Sequence, residues 1–185
     1  GAPIAGTISF GNTSGPPDGG ALLERFLDNV SEVGRCVICV GSGNEGAGMG
    51  HASGNLTQAR REELSVGMYQ GAFSLQLWKN YADTFRITLT SPTGSTAVFS
   101  TDEQEAERIR RMTLGGTQVL LYIGEPTPYS AQQEIYLDFL PRERFVDSGV
   151  WALTLEAVKI VTGNYSLYLP SQTALGADTR FFRPT

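Results

Sequence analysis

A single histidine and two cysteines serve all 185 residues, which removes most metal chemistry at the outset. A zinc site takes about four ligands, and one histidine beside Cys36 and Cys39 does not make a set. The C-x-x-C spacing has a plainer meaning. On a strand, positions three apart point to opposite faces, so the pair reads as two free core thiols in a reducing compartment rather than a redox or metal pair. No acidic cluster has the spacing of a calcium loop, and no metal or cofactor is expected. Basic residues are also scarce. Lys and Arg number 14 against 19 Asp and Glu, the net charge is -5 and the pI about 4.9. Nucleic acid is excluded as a partner, because phosphate binding needs clustered Lys and Arg. No apolar run approaches the roughly 18 residues that span a bilayer, and no signal peptide opens the chain. Gly1-Ala2-Pro3 supplies no initiator methionine, so the chain is read as a piece of a longer or processed polypeptide. That leaves its location open.

Hydrophobic residues make up 41% and charged residues 18%, a balance that supports a packed core and argues against disorder. Twenty-two glycines and nine prolines signal many turns and a β-rich architecture. The first fifty residues nevertheless read as a β-α-β unit. Residues 4–10 form a short apolar strand, and 11–20 a loop rich in Gly, Pro, Asn and Ser. Leu22, Leu23, Phe26, Leu27 and Val30 then fall at helical spacing, with Asp18 as N-cap and Gly34 as stop. Residues 35–40 are near-continuously apolar, as in a strand buried on both faces of a parallel sheet.

The pattern changes after Gly50. From Glu63 onward short alternating segments recur: 73–78, 85–90, 96–99, 117–123, 134–139, 150–155 and 164–169. Turn chemistry such as Ser91-Pro92-Thr93-Gly94 separates them. Seven or eight short strands without long helices predict a two-sheet sandwich or jelly roll. The charged run 102–111 reads as a solvated connection or short helix. Trp78 and Trp151 read as core. With Tyr81, Tyr165 and Tyr168 they are alternatively a sugar-stacking platform, a less common use of such residues than core or interdomain packing.

One stretch carries chemistry: Val-Ile-Cys-Val-Gly-Ser-Gly-Asn-Glu-Gly, residues 37–46. An apolar strand ends in a Gly-rich turn presenting one amide, Asn44. Such an amide is a fixed donor for an oxyanion that forms only in a transition state. Read without context, Asn44 is a turn residue. Upstream stands Ser9-Phe10-Gly11, and Gly41-Ser42-Gly43 directly precedes the Asn. An extended peptide can add to backbone at the first segment. Gly41 and Gly43 leave room for a substrate side chain at the second.

Both segments, in order around one amphipathic helix, resemble the substrate walls and oxyanion segment of subtilisin-like serine proteases. The resemblance implies a mainly β chain, a jelly-roll β-sandwich with an N-terminal β-α-β piece of a subtilisin-like α/β fold. Residues 1–54 would be the partial α/β segment, 60–172 an inserted jelly roll, and 173–185 a return toward the protease domain. It further implies Asn44 as oxyanion donor and Ser9, Phe10, Gly11, Gly41, Ser42, Gly43 and Glu45 as peptide contacts. Glu45 would favour a basic residue in the S1 pocket, unless it is a solvated rim carboxylate. The run through residues 29–46, and the later Gly149-Val-Trp-Ala-Leu-Thr-Leu with Gly163-Asn-Tyr-Ser-Leu-Tyr-Leu, are similar to the spore-germination branch of that family. That branch carries such an insertion, and a bacterial spore or cytoplasmic setting would follow from it.

The Asp, His and Ser motifs of the family's triad are not in this sequence. His51, in Gly-His-Ala-Ser-Gly, follows the oxyanion segment instead of preceding the walls. It is read as a loop or interdomain contact. The chain alone is therefore expected to be inactive, a peptide or protein being the substrate of the full-length parent. The rival reading is a non-catalytic β-sandwich interaction module or a pseudoprotease scaffold. Strands at residues 4–10 and 35–40 would expose unpaired edges, predicting rearrangement, packing on the β domain or self-association.

Overall fold

The computed structural model describes residues 2–9, 15–43, 47–171, 175–176 and 178–185. The chain is mainly β. A parallel pair comes first, β1 (Ile4–Ile8) and β2 (Cys36–Val40), joined through helix α1 (Leu22–Glu32). Antiparallel strands follow: β3 (His51–Asn55), β4 (Arg60–Val66), β5 (Phe73–Asn80), β6 (Thr84–Thr90) and β7 (Thr96–Ser100). After a 3-10 turn (Glu105–Glu107) come β8 (Ile109–Leu114), β9 (Thr117–Ile123), β10 (Gln132–Pro141), β11 (Gly149–Lys159), β12 (Asn164–Tyr168) and β13 (Arg180–Phe181).

These form two sheets, one ordered β3-β12-β5-β10-β9-β8 and the other β13-β4-β11-β6-β7. The pairings are nested. β3 pairs with β12, β4 with β11, β5 with β10 and β6 with β7, all antiparallel. One long hairpin rolled over itself gives this order, which is that of a jelly roll. The hairpin β8–β9 extends one sheet beyond it.

Alternation explains the core. Phe73, Leu75 and Leu77 of β5, Ile135, Leu137 and Phe139 of β10, and Trp151, Leu153 and Leu155 of β11 all point into one buried cluster. Phe73 and Phe139 are register partners and their rings stack at 4.6 Å. Trp151 meets Phe139 edge-on at 5.1 Å from the opposite sheet, and its indole N–H donates to the Asp147 carbonyl at 2.9 Å. At the sandwich edge the Tyr165 hydroxyl donates to Glu62. Burial and that carboxylate push the phenol's pKa up.

Several expectations need correction. Trp78 is buried but belongs to the outer face of its sheet, alternate to Leu77. Its burial is as expected, but it stays outside the cluster between the sheets and lines a cleft with the segment before α1. Tyr165 faces inward, Tyr168 stacks on His51 at 4.5 Å, and Tyr81 is exposed. The five aromatics therefore do not share one platform. Strand β2 is not buried on both faces: Val37 and Val40 are exposed, and β1, its one strand neighbour among the described residues, closes an edge and not a face. Cys36 and Cys39 are free, but Cys39 is exposed and so is no core thiol. Ala21, not Asp18, occupies the N-cap, with Glu24 accepting from its N–H at 2.9 Å. The run 102–111 contains the expected short helix, a 3-10 turn at Glu105–Glu107, but ends in strand. β8 begins at Ile109, and Arg110 lies inward with its guanidinium on the Val98 carbonyl. The sandwich also takes in β3 and β13. β3 is hard to read because Ala52 and Gly54 face inward, and a side chain at Gly54 would collide with Tyr165.

One end of the sandwich is polar. Asp83 is buried and accepts from the N–H groups of Val161, Thr162 and Gly163 and from the Thr162 hydroxyl. Burial disfavours its charge, but those four donors outweigh burial and hold its pKa below the usual carboxylate value. Lys79 is fully buried beside it. Its ammonium donates to the Asn80 carbonyl at 3.0 Å and to that of Asp83, above the Phe85 ring. Burial pushes the amine down to about 8, against the pull of Asp83 and Asp102.

The folded chain thus releases the Lys79 proton at lower pH than the unfolded chain. Stability should rise with pH through this window, and fall as pH drops through 8. Between about pH 7.5 and 9.5 the rise should be about 2 kcal/mol. Urea denaturation of wild type and Lys79→Met at both pH values checks this, the variant losing most of the rise.

Candidate functional site

The proposed walls lie at the C-terminal ends of β1 and β2. The register runs Ile4↔Cys36 to Ile8↔Val40, so both strands finish together. The ladder continues one step further, with the Gly41 N–H donating to the Ile8 carbonyl at 3.0 Å. Ser9 is therefore brought next to Gly41, the start of the second segment. Ser9, Gly41, Ser42 and Gly43 are all exposed, which leaves their main-chain groups open to an extended ligand. Gly43 has φ +90°, a conformation that strains any residue with a Cβ. Gly41 is different. A Cβ there would meet the Ile8 carbonyl at 3.8 Å, an ordinary contact.

Phe10, Gly11, Asn44 and Glu45 lie outside the described residues. The described geometry thus holds one residue of the first segment, Ser9, and all three of the second, Gly41, Ser42 and Gly43.

Helix α1 holds the pair in place. Leu27 and Val30 are half-buried, while Leu22, Leu23, Phe26 and Val33 are exposed, Val33 by 89%. Ile4, Val37 and Val40 are exposed as well. These residues make apolar surface on both strands and on the helix. The piece is tied to the sandwich through the segment before α1, where the Ser130 hydroxyl donates to Asp18 at 2.6 Å.

His51 sits in β3. Its Nδ1 donates to the Thr185 main-chain oxygen at 3.0 Å, its ring stacks on Tyr168, and its Nε2 is buried without a partner. No group of three or more His, Cys, Asp or Glu among the described residues is placed to hold a metal. No helix among them is long and apolar enough to cross a membrane. Sequence reasoning missed a second concavity, between the segment before α1 and the six-stranded sheet, walled by Trp78, Tyr122, Tyr129 and Glu134. The available signal was register: Glu134 stands directly opposite Trp78 on neighbouring strands.

The fold has a solved counterpart. The chain superposes on the CspB protease of Clostridium perfringens with a TM-score of 0.87 at 24% identity, over 99% of this chain and 37% of that one. This chain thus spans a little over a third of that protein's length. At that identity the likeness establishes the fold. No protein-family model matches the chain, and no curated protein matches it.

The two wall glycines should respond differently to substitution. Gly43→Ala introduces strain of about 1 kcal/mol or more at a positive φ. Gly41→Ala should stay within about 0.5 kcal/mol. Hydrogen exchange at the Gly41 amide reports on the ladder directly, and should quicken about fivefold or more in Gly43→Ala.

Proposed function

We propose that this chain is a segment of a subtilisin-like serine endopeptidase that carries its substrate-binding strand and oxyanion donor together with an inserted jelly roll. The observation that carries the reading is the end of the parallel pair. Ser9 and Gly41–Gly43 emerge side by side from strands whose fold, with the sandwich attached, is that of a known protease. In this reading residues 1–54 are the partial α/β segment, 60–172 the jelly roll, and 173–185 the return toward the protease domain. A peptide substrate adds as a strand against Ser9, Phe10 and Gly11. Its side chain approaches the backbone of Gly41, Ser42 and Gly43, and Glu45 lies at the S1 rim. Asn44 donates to the tetrahedral oxyanion. Ser, His and Asp come from elsewhere in the parent, which performs the acyl transfer.

The exposed apolar residues of α1, β1 and β2 fit this reading. They are the surface the rest of an α/β domain would cover. Left alone, they and the open strand edges favour association between copies. Sedimentation of the isolated chain should show concentration-dependent association, reduced in Phe26→Asp. A chain monomeric at all concentrations would contradict this.

A non-catalytic β-sandwich interaction module or a pseudoprotease scaffold is the competing reading: the one histidine here is engaged with Thr185 and Tyr168, and every triad residue would have to come from elsewhere in the parent. Peptide hydrolysis by the complete polypeptide decides between them. Asn44→Ala should lower kcat by about 10²–10³ and leave KM little changed. The isolated chain should hydrolyse nothing. An unchanged kcat in Asn44→Ala would remove the oxyanion assignment. A complete polypeptide that neither cleaves peptides nor reacts with a serine-directed phosphonate would establish the scaffold.

A further inference from the structure

Trp78 stands on the outer face of the six-stranded sheet, yet it is only 7% exposed. Part of its cover is the chain entering α1, which forms one side of a cleft of about 310 Å³. Tyr122, Tyr129 and Glu134 complete the other side with Trp78. The cover is fixed in place. Asp18 takes the Ser130 hydroxyl, and Gly20 passes so close that a Cβ there would lie 2.9 Å from the Tyr129 carbonyl.

The charges in the cleft are unequal in state. Glu125 is paired with Arg108. The Glu134 carboxylate is half-buried and has no hydrogen-bond or ion-pair partner among the described residues. Burial alone raises its pKa. A carboxylate drawn out of water without a partner costs free energy that a cation would recover. Three aromatic rings add an electrostatic attraction for cations. A guanidinium suits both features, since it stacks flat on a ring and presents a fork of donors to a carboxylate. One of these rings, Tyr129, already has a guanidinium near it, that of Arg25 at 6.0 Å from the ring centre.

We infer that this cleft binds a small organic cation of guanidinium type, its flat face against the aromatic wall and its N–H groups on Glu134. The volume is at the small end of ligand pockets, roughly 300–1,000 Å³. That suits a group the size of an arginine side chain. The binding makes no use of the substrate walls and does not rest on the proteolytic reading.

Agmatine is the probe, with N-butylurea as its neutral counterpart. The two tryptophans give the readout. Trp78 lines the cleft and its indole N–H donates to the Gln76 amide oxygen, while that of Trp151 is locked to Asp147 as an internal reference. In NMR titrations of this 185-residue chain, agmatine should shift the Trp78 indole signal saturably, with a Kd of about millimolar order, and leave Trp151 unmoved. Glu134→Gln should weaken binding about tenfold or more, with the Trp151 signal retained as evidence of folding. N-butylurea should not saturate. No saturable shift below about 50 mM agmatine, equal binding by Glu134→Gln, or equal binding of N-butylurea would each overturn the inference.

Discussion

The contact of Trp151 with Phe139 holds the two sheets of this chain together. One ring comes from β11 and the other from β10, and Phe73 stacks behind Phe139 on the next strand. Three large aromatic side chains at one level remove roughly several hundred Å² of apolar surface from water. Their meeting depends on register. A slip of one residue in β5 or β10 would turn Phe73 or Phe139 to the outer face. The nested pairing supplies that register by fixing each strand against a partner distant in sequence, as in Asn164 against Asn55. The cost is kinetic, since such non-local pairings close long loops before they gain contacts.

The sandwich is self-sufficient and the β-α-β piece is not. Two strands and one helix bury little, and an isolated two-stranded sheet is marginal in water. Here the piece is steadied from outside its own sheet. Asp18 docks on Ser130 and Arg25 approaches Tyr129, both on the loop between β9 and β10. The same segment therefore connects β1 to α1, lines the cleft with Trp78 and fastens the piece to the sandwich. A change in any of these contacts will be felt in the others.

The legible parts of the sequence were those where one face of an element is buried. Alternation located β5, β6, β9, β10 and β11 because each contributes large apolar residues to a single core at every second position. β3 escaped because its inward residues are Ala52 and Gly54, too small to mark a period. β8 escaped because Arg110 points inward among arginines and hides the alternation. Trp78 was misplaced for a related reason. Alternation separates two faces of a strand but cannot say that the second will be covered by a segment sixty residues upstream. The continuous apolar run of β2 records a burial that one strand neighbour and α1 do not provide. Of the site, the paired ends at Ser9 and Gly41 could be read from two motifs and a helix between them. The cleft could not, because Glu134 and Tyr129 become neighbours of residues 16–22 only after the sandwich has formed.

The one histidine shows how the fold limits the chemistry. The tail closes the open edge of the six-stranded sheet, with the Thr185 N–H donating to the His51 carbonyl and the Thr185 hydroxyl meeting Ser53. His51 completes that clasp. A carbonyl-type oxygen can only accept, so Nδ1 carries the proton and Nε2 is left as a buried lone pair. A general base must bring its free nitrogen within hydrogen-bond reach of the group it deprotonates. The free nitrogen of His51 is closed off beside Tyr168, at the edge that the tail clasps. In the proposed reading the wall segments contribute main-chain hydrogen bonding and shape, and Asn44 its side-chain amide. Groups of that kind stabilise a transition state created by others and do not initiate one.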